Sequence, residues 1–402
     1  MITPYVTINT RPEFSRNKTG FGYMVLDIAR AVGKQENVEV LATDSRGEGF
    51  EYEGVRFLKR SYGLFLSSLS CCLSPFVLVS LWKQYRMKSG TFLRMVYYWL
   101  LTGYLLKLLK SRHYDMVHMH GCGFGTELWM QVCKNCKQKF VVTLHGLNSF
   151  SDTVKLETAG KQYERDFLRR VVAGEFPITV ISSGMKKLIE NTYNTKECSN
   201  IFVVCNSFSI EEGGWASKSI KEEYGIPQSG KMLLYVGNIS ENKNQKQLVE
   251  AYGLLPEPLR DKTWIMFCGR PSQDGAFERM VKAKPYNSHI VLCGSVDKMA
   301  MSNYYKEADG VVLISFTEGF GLSLIEGMHF GLPCAMISLM DAFEDIYSDK
   351  AVVPINGYSN EAVAKGIELL LTKQWNREWI KDYSNKFDSN TMAGNYVKAY
   401  KL

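Results

Sequence analysis

The sequence predicts an α/β protein of two doubly wound, Rossmann-like domains, and three observations carry that reading. Short apolar runs alternate with helix-like stretches through both halves of the 402 residues. Such runs are the mark of parallel strands buried on both faces. Several of them end in glycine just ahead of a loop or helix, as in Leu144-His145-Gly146 and Tyr235-Val236-Gly237. Between the two series lies a looser stretch, Ser209 to Gly230, with Glu-Glu-Gly-Gly and Pro-Gln-Ser-Gly inside it; it reads as a linker. A chain of this length can bury two or three sizeable cores.

In the first half, Tyr5–Asn9 reads as a strand, and Thr10–Gly22 as a loop ending in Lys18-Thr-Gly-Phe-Gly22. A helix with apolar Met24, Leu26, Ile28, Ala29 and Val32 follows, then a strand at Val38–Thr43. A glycine-rich turn before a helix is a possible seat for phosphate or hydroxyl groups. This one lacks the Gly-x-x-x-x-Gly-Lys-Ser/Thr pattern, so an ordinary strand-to-helix loop is equally compatible. Tyr114–His120 and Phe140–Leu144 are the next strands, ending at His120-Gly121 and His145-Gly146. Ligands of open parallel sheets sit at the carboxyl ends of strands, which places both histidines where a ligand would be. Ile178–Ser183 and Ile201–Asn206 close the half.

The second half runs through strands at Met232–Gly237, Thr263–Gly269, Ile290–Gly294 and Gly310–Ser315. It centres on Ser315-Phe-Thr-Glu-Gly-Phe-Gly-Leu-Ser-Leu-Ile-Glu-Gly-Met-His-Phe-Gly-Leu-Pro-Cys334. There a strand gives way to the turn Glu318–Gly321, then to a helix from about Leu322 to Phe330, stopped by Gly331 and Pro333. Glycines let a backbone approach a ligand, and free amides at a helix start favour an anion. Glu318 precedes the helix. Glu326 leans back toward the turn, as helical side chains do. Two acceptor-only carboxylates beside such a turn suit a hydroxyl-rich ligand that carries phosphate, a nucleotide sugar; two surface glutamates are the plainer alternative.

Charge is unevenly placed. The net charge is +7, yet Val55–Arg112 holds ten Lys and Arg and no Asp or Glu. Within it Ser61–Trp82 has no charged residue but contains Pro75, two cysteines and several serines, a poor membrane span. Tyr97, Tyr98, Trp99 and many leucines then alternate with cations. The combination fits a surface lying on an anionic bilayer. So apolar a stretch argues against a nucleic-acid surface, and core helices with basic ends remain the alternative. Ten scattered cysteines, many inside apolar runs, suit reduced thiols in a cytosolic protein. Cys133-Lys-Asn-Cys136 has no second pair to complete a zinc site. Met1-Ile-Thr-Pro runs straight into a strand, with no signal peptide expected.

Together these residues resemble the retaining glycosyltransferases of family four, which have the GT-B fold of two Rossmann-like domains facing across a cleft. The family's two glutamates with seven residues between them match Glu318 and Glu326. Its Gly-Arg-Leu-x-x-x-Lys loop matches Gly237-Asn-Ile-Ser-Glu-Asn-Lys243, with Asn238 in place of arginine. Its His-Gly strand end matches His145-Gly146, and its Asn-Gly is Asn206-Ser207 here. The resemblance implies that residues 1–208 form an acceptor-side domain with the basic apolar segment 55–112, 209–230 a linker, and 231–385 the nucleotide-sugar domain. Residues 386–402 would be a last helix able to cross back to the first domain.

By the same resemblance, Glu326 would hold the ribose hydroxyls. Glu318 and the amides of Phe320 and Gly321, in a turn shared with Gly319 and Leu322, would hold the donor sugar. Lys243 would neutralise the diphosphate beside Asn238, His145 would contact the sugar, and Gly20 would approach the phosphates. The implied activity is hexosyl transfer from a nucleotide sugar to a lipid-linked or polysaccharide acceptor in cell-surface glycan synthesis. It would act as a cytoplasmic protein peripheral to the inner face of the membrane. The chain has no Asp-x-Asp, so Lys243 and helix N-termini are expected to do without metal or cofactor. A nucleotide-sugar epimerase and a non-catalytic scaffold of the same fold are the alternatives.

Overall fold

A computed structural model describes residues 2–5, 20–42, 50–52, 54–58, 66, 68–150, 157–208, 210 and 219–401. They divide into two compact units, residues 1–205 with 389–402, and residues 206–388.

The first unit is built on an eight-stranded sheet. Its strands are β1 (Ile2–Tyr5), β2 (Glu39–Ala42), β3 (Phe50–Tyr52), β4 (Val55–Phe57), β5 (Val117–His120), β6 (Phe140–Leu144), β7 (Ile178–Val180) and β8 (Ile201–Val203). The spatial order is β3-β4-β2-β1-β5-β6-β7-β8. Every pairing is parallel except β3 with β4, a short hairpin at the edge. Parallel strands need crossovers, and helices at Gly20–Gly33, Phe124–Asn135, Thr158–Val172 and Ser183–Thr192 supply them. Val25, Ile28, Ala29 and Val32 on one face of the first helix pack with Val40, Val55 and Phe57. The helix Ser389–Tyr400 completes that core with Met392, Ala393 and Tyr396.

The first strand is described at Ile2–Tyr5; residues 6–9 of the expected Tyr5–Asn9 strand, and Lys18 and Thr19 of the Lys18–Gly22 loop, fall outside the described residues. Gly20 is the first residue of its helix. In the basic segment, helices at Phe76–Tyr85 and Ser89–Ser111 carry most of the chain. Among the described residues no helix is long and apolar enough to cross a membrane.

The second unit holds β9 (Lys231–Val236), β10 (Thr263–Cys268), β11 (Ile290–Gly294), β12 (Gly310–Leu313), β13 (Cys334–Ile337) and β14 (Val352–Ile355). Their order is β11-β10-β9-β12-β13-β14, all parallel. The strands β12 and β13 are buried at every residue, as their unbroken apolar sequences require. Residues 219–230, within the stretch read as linker, are packed into this unit. The hydroxyl of Ser219 and the amides of Ile220 and Lys221 all donate to the Glu307 carboxylate at 2.6–3.0 Å, and Ile220 and Ile226 are buried. Three donors on one carboxylate hold its pKa below the ordinary value despite partial burial.

Candidate active site

In the second unit two loops leave neighbouring strands and are sewn together by amides. After β9 the chain runs through Gly237 and Asn238 into a short turn, Glu241–Lys243, capped by the Ser240 hydroxyl accepting from the Lys243 amide at 3.3 Å. Asn244 takes a left-handed conformation (φ 57°), which amides tolerate, and turns the chain into the helix Gln245–Tyr252. Gln245 is buried. Its Nε2 donates to the Asn238 carbonyl at 3.0 Å and its Oε1 accepts from the Ser240 amide at 3.3 Å.

After β12 the turn Ser315–Gly321 is fixed against that loop by Asn242. The Asn242 Nδ2 donates to the Thr317 carbonyl at 2.8 Å, its Oδ1 accepts from the Thr317 amide at 3.1 Å, and its own carbonyl accepts from the Phe316 amide at 2.8 Å. The result brings Lys243 and Glu318 together: the ammonium forms an ion pair with Glu318 Oε2, and both side chains stay partly exposed. The Ser315 hydroxyl lies 3.4 Å from the same oxygen.

Gly321 sits at φ +88°, a conformation that glycine adopts without strain, and opens the helix Leu322–His329. A Cβ on Gly327 would lie 2.4 Å from Val311 Cγ2, so glycine there lets the helix lie close on β12. Half-buried Glu326 comes one turn in, and its Oε2 accepts from the hydroxyl of buried Tyr305 at 2.8 Å. Tyr305 is itself stacked on Phe330. Gly319 and Leu322 are half-buried, while the Phe320 ring turns inward against Phe387.

The remaining two expected residues, His145 and Gly20, belong to the first unit. His145 follows β6, and its Nε2 lies 3.1 Å from Nδ1 of His120 at the end of β5. The His120 ring lies tilted against that of His118, centroids 4.1 Å apart, and the His118 ring bonds Thr143 Oγ1 at 2.6 Å and the Tyr400 hydroxyl at 2.8 Å. Burial disfavours the imidazolium, lowering His118 to about 3, His145 to about 4 and His120 well below the ordinary 6.5. All three rings are neutral near pH 7, so the His120–His145 contact sets which nitrogen of each carries the proton.

The second unit thus gathers Lys243, Glu318, Gly319, Phe320, Gly321, Leu322 and Glu326 around two stitched loops, with Asn238 in the first of them. The residues doing the stitching, Asn242 and Gln245, and the partner Tyr305, were not singled out from the sequence. The amide-rich run Asn238-Ile-Ser-Glu-Asn-Lys-Asn-Gln245 was the available signal. Among the described residues no cluster of His, Cys, Asp and Glu could hold a metal ion.

Residues 216–387 match the family described as Glycosyl transferases group 1. Over 314 residues, 74% of the chain and 77% of the relative, the sequence is 23% identical to an uncharacterized glycosyltransferase of Methanocaldococcus jannaschii. It is 27% identical to O-antigen chain mannosyltransferase B of Escherichia coli over a shorter region, 38% of this chain and 39% of that one. Among solved structures, Anabaena HepE in complex with UDP and glucose superposes with a TM-score of 0.68 at 12% identity, over 100% of this chain and 99% of that one. That likeness is one of fold, the GT-B arrangement of two Rossmann-like units.

Proposed function

From the match of residues 216–387 to the group 1 glycosyltransferases we propose a retaining enzyme that moves a hexose from a nucleotide-sugar donor to a lipid-linked or polysaccharide acceptor. The observation that carries the reading is the pairing of Lys243 with Glu318 by two loops at the ends of adjacent strands β9 and β12, with Glu326 on the helix that follows. The Glu326 carboxylate, oriented through Tyr305, would accept the paired ribose hydroxyls. Glu318 would accept from sugar hydroxyls, and the helix start at Gly321 would offer amides to the sugar or phosphate. As the glycosidic bond breaks, the electron pair goes to the departing diphosphate. Lys243 would meet the charge that develops there. His145, its ring held by His120, would keep the role toward the sugar that the resemblance implies.

We assign no divalent metal to this chemistry, because the chain lacks Asp-x-Asp and places an ammonium where the diphosphate charge would appear. The first unit supports the proposed acceptor and place of action. Exposed Phe76, Val79, Trp82 and Leu93 lie among Lys83, Arg86, Lys88 and Arg94, a face suited to the cytoplasmic leaflet.

The test is a panel of UDP-, GDP-, ADP- and dTDP-sugars scored by the rise in melting temperature of the purified protein. The sugar that raises it is then supplied with membrane lipid extract, and the product anomer is read by NMR. One sugar should stabilise the protein and be transferred with its anomeric configuration kept, in EDTA as well as without it. No stabilisation by any sugar would overturn the donor reading, an inverted product the retaining one, and loss of activity in EDTA restored by magnesium the metal-free one.

A further inference from the structure

The Lys243 ammonium is already matched by the Glu318 carboxylate. A nucleoside diphosphate bound at this loop, as proposed above, brings at least two negative charges. One ammonium shared with a carboxylate leaves much of that charge unmet, and a second cation on the same edge would meet it.

Arg270 stands on that edge. It follows β10, the parallel neighbour of β9, and is tied to the Lys243 loop at both backbone groups. Its amide donates to Asn238 Oδ1 at 3.0 Å, and its carbonyl accepts from the Ile239 amide at 2.9 Å. The two strand ends press so closely together that a Cβ on Gly269 would fall 2.1 Å from the Gly237 carbonyl oxygen and 2.7 Å from the Asn238 nitrogen. On the other side of Gly237 runs the stem of Lys243, its Cε 3.5 Å from where a Cβ of Gly237 would be. Lys243, Gly237, Asn238 and Arg270 therefore form one packed corner.

The guanidinium is exposed, and among the described residues no carboxylate pairs with it. The two acids of its own loop are engaged elsewhere: Glu278 accepts from the Ser272 amide and hydroxyl, and Asp274 from the Ala276 amide. The planar fork of arginine matches two phosphate oxygens at once, which an ammonium cannot do.

We propose that Arg270 is the second cation of the phosphate site, with Lys243 the first, and that Asn238 is a positioning residue that presents it. Asn238 then acts through its carbonyl-like Oδ1 on the Arg270 backbone, and the charge comes from the next strand. The proposal rests on the donor reading and extends it.

Calorimetry on the full chain tests it with UDP, GDP, ADP and dTDP, using the matching nucleosides as phosphate-free controls. For whichever diphosphate the parent binds, Arg270→Ala should raise Kd about ten- to hundredfold, the loss expected for one charge-assisted pair. Arg270→Lys should recover part of it. Asn238→Ala should raise Kd less than Arg270→Ala, with nucleoside binding unchanged in every variant. Equal melting temperatures would show that the folded unit is retained. If Lys243→Ala weakens the diphosphate and Arg270→Ala does not, Arg270 has no such role and the donor reading stands. If neither variant differs from the parent, or the parent binds none of the four diphosphates, both readings are overturned. An equal loss for nucleoside and diphosphate would assign Arg270 to the shape of the loop and refute its charge role.

Discussion

Glu326 has one carboxylate oxygen on the Tyr305 hydroxyl, which holds the side chain in place at the start of its helix. Glu326→Ala should cost about 1.5–3 kcal/mol of donor affinity, the usual loss for hydrogen bonds to a charged group. Calorimetry with the nucleotide donor checks this, and unchanged binding in a folded variant would remove the ribose role. Lys243→Ala should act mainly on turnover, because its contact strengthens as the diphosphate gains charge. A fall in kcat of about 10²–10³ is the expected scale; a turnover within a few-fold of the parent would leave Lys243 as an ordinary loop lysine. At this scale the charged residues were legible and their supports were not. Glu318, Glu326 and Lys243 stand out by type and spacing. Asn242, Gln245, Tyr305 and Arg270 act through partners that are loops or strands away, as with Asn242 and Thr317. No local pattern marks such contacts.

Strand β5 places His118 and His120 inside the first unit and His145 follows β6, all three with neutral rings. Their folded pKa values lie below the unfolded one. Below about pH 6.5 the unfolded chain therefore takes up protons that the folded chain refuses, and stability falls as the pH drops. With three protons at stake the slope should reach about 4 kcal/mol per pH unit and level off only near the folded values. Urea unfolding of the first unit from pH 7.5 to 5 should show this slope, and His118→Gln should lower it by about a third. A flat profile in the parent would mean the rings are hydrated. Elements announced by apolar runs, such as β12 and β13, were readable in the sequence. Pro354 obscured β14, since proline argues against a strand; here it sits at a sheet edge opposite Met336, where it is tolerated. The hairpin of β3 and β4 is only three residues a side, too short for a period to show.

For the molecule as a whole, the two halves were readable as repeated series of strands. Their boundary depends on packing that sequence does not display: Ser219 to Lys221 are bound to Glu307, and the last helix is counted with the first unit. Tyr396 on that helix is fully buried against the Gly20–Gly33 helix and its strands. Tyr396→Ala should destabilise the first unit by about 3–5 kcal/mol. Hydrogen exchange is the readout: protection should drop at residues 24–32 while β12 and β13 keep theirs, and equal losses in both units would contradict the assignment. The Val55–Arg112 face makes a second prediction. Vesicles with anionic lipid should float the protein at low salt and release it at high salt, while neutral vesicles should not. Equal flotation with both, or none with either, would show that the exposed aromatics and cations serve another purpose.

Because Ser389–Tyr400 finishes the core begun by Gly20–Gly33, the chain starts its first unit early and can close it only after the second has been made. On a ribosome this is a matter of seconds. At about 5–20 residues per second, the segment 206–388 takes roughly 10–40 s to synthesise. For that interval Val25, Ile28 and Val32 lack their last covering, and the nascent first unit offers an apolar groove to any chaperone nearby. The second unit, continuous in sequence, can mature first even though it is translated second.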